Sequence, residues 1–499
     1  MSLMLAHDQE TIIAQCTPYG QGALALIRIS GLNAIQLTAN MAELSSHKSI
    51  LDLPTHTIHH GTIVSLDKTI IDQVLFLLMH GPRTFTGQDT IEITCHNNPL
   101  IIEQIIERAL ILGARMATPG EFSKRSVLNN KISVLQAEAI HEVVTANTQA
   151  ALKLSLAQLE GSISAWCIKL ERELIRALAL SEASFEFIDE EHLAFGSEIR
   201  EIIIKVQQQI AHINIQGGTQ KHIRDGIRIA LIGATNAGKS SLFNALIGQN
   251  RSIVTNIPGT TRDTVEAGLY RNGAYWTLID TAGFREITNS IEDSIEKEGI
   301  ARSYSTAQNA DLILLVIDLA SPLPDDLITE YQQLLSTYSE KIIIVKSKSD
   351  LPQIDPSLSL LKTGSFILTP ELSKFSIPEV SISIDTINSN SIGTNTISTY
   401  NAYAHNKSIS CLDIAIQERI KALLNANSCP FLLNQRQLQS LIQLSQKLDF
   451  LILLLREPIQ YELLSHHILD SLATISDLTG KSLSEKGLDA VFREFCVGK

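Results

Sequence analysis

Short apolar runs, interrupted by glycine and proline, occupy residues 11–113. The runs at 23–29, 74–78 and 90–94 are rich in branched residues and have the length of strands. Residues 101–112 repeat apolar side chains at helical spacing. Turn residues separate these elements. The pattern predicts a small α+β domain of roughly 120 residues at the N-terminus.

A helical pattern begins at about residue 132 and returns near the C-terminus. Apolar residues at steps of three and four predict one long helix; they are Leu152, Leu156, Leu159, Ile163, Trp166, Leu170, Leu174 and Leu178. The C-terminal stripe consists of Leu438, Leu441, Leu448, Leu455, Ile468, Leu472, Ile475, Leu488, Val491, Phe492 and Phe495. Such stripes typically form the core of a helical bundle.

The stretch between these helical regions alternates strands with helices. Apolar strands are predicted at 227–232, 276–279, 312–317 and 342–345, so an α/β domain is inserted into a helical one. The Ser-, Asn- and Thr-rich residues 385–398 are predicted to be a loop or linker. The fold class is therefore multidomain α+β, with predicted domains at 1–122, 123–224, 225–400 and 401–499.

Composition and charge restrict the classes of protein that fit. The chain has 499 residues, of which 44% are hydrophobic and 19% charged, as in a globular protein of roughly two to four domains. The net charge of −13 argues against nonspecific electrostatic binding of nucleic acid by the chain as a whole. The six cysteines have no paired spacing, so reduced thiols are expected. Neither a secretory signal nor a membrane span is predicted, and the expected location is the cytoplasm.

Residues 233–241 read GATNAGKSS and match the phosphate-binding pattern GxxxxGK[ST] between a strand and a helix. Glycines let backbone N–H groups turn toward phosphate oxygens, and the helix N-terminus favours negative charge. Lys239 is expected to reach the β- and γ-phosphates as a catalytic residue, and the Ser240 hydroxyl to ligate magnesium. The pattern predicts a nucleotide site.

Two later motifs follow in the order of a GTPase. GTTRD at 259–263 supplies Thr261 as a second magnesium ligand, and DTAG at 280–283 supplies Asp280 and the Gly283 amide. The predicted GTP-binding residues are Asn236, Ala237, Gly238, Lys239, Ser240, Ser241, Thr255, Asn256, Ile257, Pro258, Gly259, Thr260, Thr261, Asp280, Thr281, Ala282, Gly283, Ser347, Lys348, Ser349 and Asp350. These motifs predict hydrolysis of GTP.

Base recognition is expected from residues 347–350, which read SKSD where [NT]KxD is the usual motif. Asp350 can accept the paired donors of guanine, and Lys348 can pack over the ring, which favours GTP over ATP. Ser347 cannot reproduce the two-sided hydrogen bonding of an asparagine amide. Residues 381–384 are a candidate for the last guanine loop.

Phe284 follows DTAG where many small GTPases have a glutamine that positions water. An apolar ring cannot orient the attacking water, and the sequence shows no evident arginine finger. Another polar residue and another cation must therefore supply these functions.

Beyond these motifs, nearly the whole chain resembles the MnmE (also called TrmE) family of tRNA-modifying GTPases. The resemblance rests on TPYGQGALALIRISG (17–31), GPRTFTGQDTIEITCHNNP (81–99), PGEFSKRSVLNNKISVLQAEAI (119–140), FIDEE (187–191) and the terminal FCVGK (495–499). It implies an N-terminal folate-binding α/β domain that dimerises, a helical bundle domain, and an inserted Ras-like P-loop GTPase domain.

The resemblance also implies the reaction. With an FAD- and NADH-dependent partner, MnmG, the family installs a (carboxymethyl)aminomethyl group on carbon 5 of the tRNA wobble uridine. The implied complex is a heterotetramer built on a homodimer. The carbon comes from 5-formyl- or 5,10-methylene-tetrahydrofolate, and the matching folate contacts are Arg28, Glu92, Lys131 and Lys499. Basic groups suit the carboxylates or the formyl oxygen, and a carboxylate suits the pterin donors.

Potassium is the family's activator of hydrolysis, and its matching ligands are Asn236, Thr255, Ile257 and Thr260. Glu292 matches the glutamate that orients the attacking water. Cys496 is a further catalytic candidate with two open interpretations. A neighbouring ammonium would lower the thiol pKa and make it a better nucleophile, or the tail merely closes over the folate.

Several positions depart from the family pattern. Ser347 replaces an asparagine, Asn97 and Asn98 replace two glycines, and Ser133 replaces an aspartate. Residues 351–407 also match poorly. Two other classes of function stay open from the sequence: a ribosome-assembly GTPase resembling Era or Der, and a dimerising scaffold that hydrolyses GTP poorly. The first would carry a basic RNA-binding domain in place of the N-terminal block, and Ser347 is consistent with the second.

Overall fold

The computed structural model describes residues 10–20, 22–186, 195–214, 220–234, 236–248, 265–271, 274–280, 306–318, 325–347, 379–381, 412–421, 423, 430–456, 459–493, 495 and 497–498. The chain divides into two units. Unit 1 comprises Met1–Thr145, Leu154–Asn214 and Leu433–Lys499, and unit 2 comprises Ala146–Lys153 and Ile215–Leu432. The four domains expected from the sequence, with their boundaries, stay predictions.

A seven-stranded sheet forms the N-terminal part of unit 1. Its strands are β1 (Ile12–Gln15), β2 (Leu24–Ser30), β3 (Ala42–Leu44), β4 (Thr57–Val64), β5 (Ile70–Met79), β6 (Thr90–His96) and β7 (Arg115–Met116). They lie in the order β3-β4-β5-β6-β2-β1-β7, and every pairing is antiparallel except β1 with β7. The sequence pattern did not predict β1, β3, β4 or β7, because these strands are short or carry histidine and glycine among their apolar residues.

One face of this sheet is buried by two helices, α1 (Ala34–Ala39) and α2 (Pro99–Ile111). Alternate residues of β5, including Val74, Phe76 and Leu78, point into that core, as the two-residue period of a strand requires. Asn98 caps α2, since its side chain accepts a hydrogen bond from the Leu100 N–H at 2.9 Å. The departure at Asn98 therefore has a local structural role.

Seven further helices lie in the described part of unit 1. They are α3 (Glu121–Leu128), α4 (Val134–Thr145), α6 (Ser162–Glu186), α7 (Gly196–Asn214), α11 (Gln435–Leu454), α12 (Tyr461–Thr479) and α13 (Glu485–Phe492). Another helix, α5 (Gln149–Leu159), begins within the residues of unit 2 and ends within those of unit 1. Leucines and isoleucines of α6, α7, α11 and α12 form one apolar core, as the periodicity predicted.

The prediction of a single helix through Leu152 and Leu178 is wrong. The structure has two helices, α5 and α6, which are interrupted at Gly161. The φ angle of Gly161 is +102°, in the left-handed region that favours glycine. The apolar spacing continues across the interruption, so periodicity alone did not reveal it.

Unit 2 contains a six-stranded sheet. Its strands are β8 (Ile227–Ile232), β9 (Val265–Arg271), β10 (Ala274–Asp280), β11 (Leu312–Asp318), β12 (Ile342–Ser347) and β13 (Glu379–Ser381), in the order β13-β12-β11-β8-β10-β9. Only β9 pairs antiparallel. The four strands predicted from the sequence lie within β8, β10, β11 and β12.

The named helices of unit 2 are α8 (Gln220–Asp225), α9 (Lys239–Gly248) and α10 (Asp325–Tyr338). Residues 412–421 are also helical, and Leu412, Ile416 and Ile420 pack into the sheet core. The tract at 385–398 lies outside the described residues. No helix in the described part of the chain has both the length and the apolar character needed to cross a membrane.

Candidate functional site

The phosphate-binding motif connects β8 to α9, and its backbone is sharply turned. Asn236 and Gly238 have φ angles of +62° and +96°. Gly233 lies against β11, where an added Cβ would be 2.3 Å from the Val316 carbonyl oxygen. No larger residue fits at Gly233, and this close approach explains the first glycine of the motif.

Lys239 begins α9 and its side chain turns back into the loop. Its ammonium donates hydrogen bonds to the carbonyl oxygens of Gly233 at 2.7 Å and Ala234 at 2.6 Å. Burial lowers the pKa of Lys239, and the negative charge of Asp280 opposes that shift. The positive charge is thus held inside the loop, where phosphate oxygens can replace the carbonyls as acceptors.

Asp280 is the last residue of β10 and lies beside Leu231 of β8 in the parallel register. Its side chain is buried, whereas Ser240 and Ser241 are exposed in the first turn of α9. Parallel strands place their carboxyl ends at one edge of a sheet, so the phosphate loop and Asp280 share that edge. The hydroxyl and the carboxylate are oxygen groups that suit Mg²⁺.

Ser347 ends β12 and contacts the phosphate loop directly. Its hydroxyl lies 2.7 Å from the Ala237 carbonyl oxygen and 3.2 Å from that of Ile317, and it can donate to either. Only 3% of the residue is exposed.

Sequence reasoning missed Tyr331 of α10. Its buried hydroxyl oxygen accepts a hydrogen bond from the Ala234 N–H at 2.7 Å. In the sequence, this tyrosine is indistinguishable from other apolar positions of its helix.

Several predicted site residues lie outside the described residues. They are Thr255, Asn256, Ile257, Pro258, Gly259, Thr260, Thr261, Thr281, Ala282, Gly283, Phe284, Glu292, Lys348, Ser349, Asp350, Cys496 and Lys499. Of the candidate guanine loop, Ser381 ends β13 and residues 382–384 are not described.

A second polar site lies on the N-terminal sheet of unit 1. Arg28 of β2 is directly opposite Glu92 of β6. The Nε and Nη2 atoms of Arg28 lie 2.8 Å and 2.7 Å from Glu92 Oε1, and both side chains are about four-fifths buried. The guanidinium carbon also lies 5.4 Å from the centroid of the Phe122 ring on α3.

The C-terminal tail reaches this pair. The Gly498 carbonyl accepts hydrogen bonds from Arg28 Nη1 at 3.3 Å and from the Cys16 thiol at 3.2 Å. Gly498 has a φ of +95°, and an added Cβ would lie 2.5 Å from the Gln15 carbonyl oxygen. Glycine is therefore required at this position of the terminal motif, because a side chain would collide with β1.

The third described folate candidate, Lys131, follows α3. An added Cβ on Gly87 would lie 3.1 Å from Lys131 Cε, so the lysine stem crosses the loop that contains Gly87. Asn129 fixes the same loop by donating to the Thr86 carbonyl at 2.6 Å. Ser133, which departs from the family pattern, accepts from the Gln136 N–H at 3.2 Å and so caps the start of α4.

Comparisons with known proteins cover the whole chain. Residues 11–131 match the family model described as "GTP-binding protein TrmE N-terminus", and residues 134–496 match "MnmE helical domain". Proteins called "tRNA modification GTPase MnmE" from Lachnoclostridium phytofermentans, Ligilactobacillus salivarius and Lacticaseibacillus paracasei are 30%, 31% and 32% identical. The alignments cover 98%, 100% and 98% of this chain and 99%, 100% and 98% of those proteins.

Among solved structures, the G domain of the T. maritima FeoB iron transporter is 25% identical over 39% of this chain and 98% of that one. The TM-score of 0.24 is too low to support a geometric comparison.

The sheet of unit 2, its phosphate loop and the matched relatives define a P-loop GTPase that hydrolyses GTP. The chain belongs to the MnmE (TrmE) family of tRNA modification GTPases, and its GTP hydrolysis serves tRNA modification. The resemblance found in the sequence is confirmed. The alternative of a ribosome-assembly GTPase is not supported.

Proposed function

We propose that this enzyme couples GTP hydrolysis to the addition of a (carboxymethyl)aminomethyl group at carbon 5 of the tRNA wobble uridine. A tetrahydrofolate supplies the one-carbon unit, and MnmG, an FAD- and NADH-dependent partner, takes part in the reaction. The observation that carries this proposal is the contact of Gly498 with Arg28 beside Glu92. Residues 470 positions apart thereby build one polar site in the N-terminal domain.

The charges of this site suit a folate. Glu92 can accept hydrogen bonds from the amino and ring N–H groups of a pterin. Arg28, Lys131 and Lys499 are cations that suit a formyl oxygen or the carboxylates of the glutamate tail. Cys496 acts there either as a nucleophile or as part of a tail that closes the site.

At the nucleotide site, Lys239 binds the β- and γ-phosphates, while Ser240 and Thr261 ligate Mg²⁺ with Asp280 acting through water. Asn236 binds potassium together with Thr255, Ile257 and Thr260, and this cation stabilises charge that develops on the phosphates. Glu292 orients the attacking water. Lys348 packs over the guanine ring, and Asp350 accepts hydrogen bonds from the paired donors of its edge.

A homodimer is supported by exposed apolar side chains on one face of the N-terminal sheet. Register places Ile58, Leu77, Glu92 and Arg28 in one row across four strands. On this face Ile58 is 65% exposed, and Leu75 is 45% exposed. An exposed apolar surface beside the folate site suits a second copy of the chain. We propose that two such copies, two MnmG subunits and tRNA form the working complex.

Mass spectrometry of wobble uridines tests this function in cells. Loss of the protein should remove the carbon 5 modification, and the wild-type gene should restore it. Arg28→Ala should not restore it, because Glu92 and Gly498 both lose a partner. Arg83→Ala, which changes another arginine of the same domain, should restore it. Unchanged uridines in cells lacking the protein would refute the function. Full rescue by Cys496→Ser would leave only the closing role for that residue.

A further inference from the structure

We infer that Tyr331 and Ser347 are positioning residues that hold the phosphate loop in its binding shape, and that Ser347 acts on the nucleotide through the phosphates rather than the base. Both belong to elements outside the GxxxxGK[ST] motif. The inference rests on the nucleotide site described above. It differs from the expectation that Ser347 reads guanine.

Tyr331 fixes the start of the phosphate loop, at Ala234. Its hydroxyl oxygen lies 2.7 Å from the Ala234 nitrogen, and only 3% of the residue is exposed. Burial raises the pKa of Tyr331 to about 12, so the phenol keeps its proton at physiological pH. The N–H of Ala234 is therefore satisfied by protein, and its peptide plane has one fixed direction.

Ser347 fixes the later part of the phosphate loop, at Ala237. A serine hydroxyl carries a single proton, and the Ala237 and Ile317 carbonyl oxygens both compete for it. Its donor capacity is thus directed to the protein, and the residue is almost fully buried. The Ala237 carbonyl lies between Asn236 and Gly238, the two residues with positive φ, so this hydrogen bond fixes the loop at its sharpest turn.

The hydrogen bonds of these two hydroxyls reduce the conformational entropy that the phosphate loop would otherwise lose when phosphate binds. Because the loop is hydrogen-bonded at both Ala234 and Ala237, its conformational freedom is already restricted before the ligand binds. Preorganisation of this kind raises affinity. Removing either hydroxyl takes away the partner of a backbone N–H or C=O group of the loop. The resulting loss should scale with the number of phosphates contacted and should not depend on the base.

Equilibrium binding to the full chain tests this inference. Tyr331→Phe and Ser347→Ala should each weaken GDP binding about 5- to 30-fold. The same variants should change GMP binding less than about twofold, because GMP lacks the β-phosphate that the loop is proposed to bind. Ser347→Thr retains the hydroxyl and should stay close to wild type. The matched controls are Tyr338→Phe and Ser336→Ala on the same helix α10, because the Ser336 hydroxyl donates to the Gln333 carbonyl and the Tyr338 ring contacts Lys341.

Base analogues separate the two possible roles of Ser347. Ser347→Ala should weaken binding of GDP, 7-deaza-GDP and inosine diphosphate by one common factor. A smaller loss for either analogue would show that Ser347 contacts the base and would overturn that part of the inference. Equal losses for GMP and GDP would show that the hydroxyls only stabilise the domain. If wild-type protein bound GMP as tightly as GDP, the nucleotide site itself would be wrong.

Discussion

At the scale of single residues, the buried side chain of Lys239 has hydrogen-bond partners within the protein itself. The residue is almost fully buried, and two loop carbonyls accept hydrogen bonds from its ammonium. Burying an ammonium is unfavourable without such partners, and phosphate oxygens are stronger acceptors than carbonyls. We therefore propose that Lys239 gains interaction energy when the β- and γ-phosphates bind.

Lys239→Ala should reduce GTP turnover about 100-fold or more, since it removes a cation from the developing negative charge. Phosphate release at saturating GTP measures this effect. The helices of unit 1 should still melt at the wild-type temperature, because the loop belongs to unit 2. Lys341→Ala, which changes a lysine bonded to the Ala310 carbonyl in unit 2, is the matched control. Normal turnover by a folded Lys239→Ala protein would refute the phosphate-loop assignment.

At the scale of elements, one buried carboxylate joins α3 to the N-terminal sheet. Glu121 begins α3 and accepts hydrogen bonds from Arg115 of β7 at 2.6 and 2.8 Å, and from Arg125 at 2.8 Å. Burial by itself would raise the pKa of Glu121. The hydrogen bonds from Arg115, the Thr118 N–H and Arg125 outweigh burial and lower the pKa to about 2.

This shift predicts an acid-sensitive contribution to stability. Because the folded pKa of Glu121 lies below its ordinary value of 4.5, the contribution is complete above pH 4.5 and is lost as pH falls toward 2. The upper limit is about 3 kcal/mol. Glu121→Gln should destabilise unit 1 at pH 7 and less so at pH 3. Trp166 fluorescence during denaturation, in a Trp276→Phe background, reports unit 1.

The control for this experiment is Glu198→Gln, because Glu198 pairs with Arg176 at an exposed position. It should change stability by less than about 1 kcal/mol at either pH. An equal loss for Glu121→Gln at pH 7 and pH 3 would show that the shape of the side chain matters there and its charge does not.

At the scale of the whole molecule, hydrolysis is proposed to depend on potassium and on pairing of two copies. Phe284 cannot orient water, and the transition state still needs a cation. Asn236 is exposed on the phosphate loop with a φ of +62°, where its side-chain oxygen can join phosphate oxygens around a monovalent ion. The remaining proposed ligands come from residues 255–260.

Hydrolysis should be at least about tenfold faster in potassium than in sodium at matched ionic strength. Turnover per molecule should also rise with protein concentration if the dimer dissociates. Asn236→Ala should lose the potassium response, while Asn244→Ala, on the exposed side of α9, should keep it. Glu292→Ala should lose turnover but retain potassium-induced pairing of the GTPase domains. Equal rates in the two salts would remove potassium from the mechanism and leave the GTPase assignment intact.

Several helices and about half of the strands followed from the sequence because their patterns are local. The apolar runs within β8, β11 and β12 and the stripes of α6 and α11 depend only on neighbouring residues. The phosphate loop was also predictable, since its glycines and Lys239 must be close in sequence to surround one phosphate. The family membership followed from such motifs taken in order.

The tertiary structure alone decided which distant residues meet. The pairing of Arg28 with Glu92, the contact of Gly498 with Arg28, and the approach of Tyr331 to Ala234 join separate elements. No periodicity encodes these contacts, because they depend on strand register and on how helices pack. The interruption at Gly161 was missed for a related reason. The apolar spacing satisfied one helix, and the backbone conformation of a single glycine produced two.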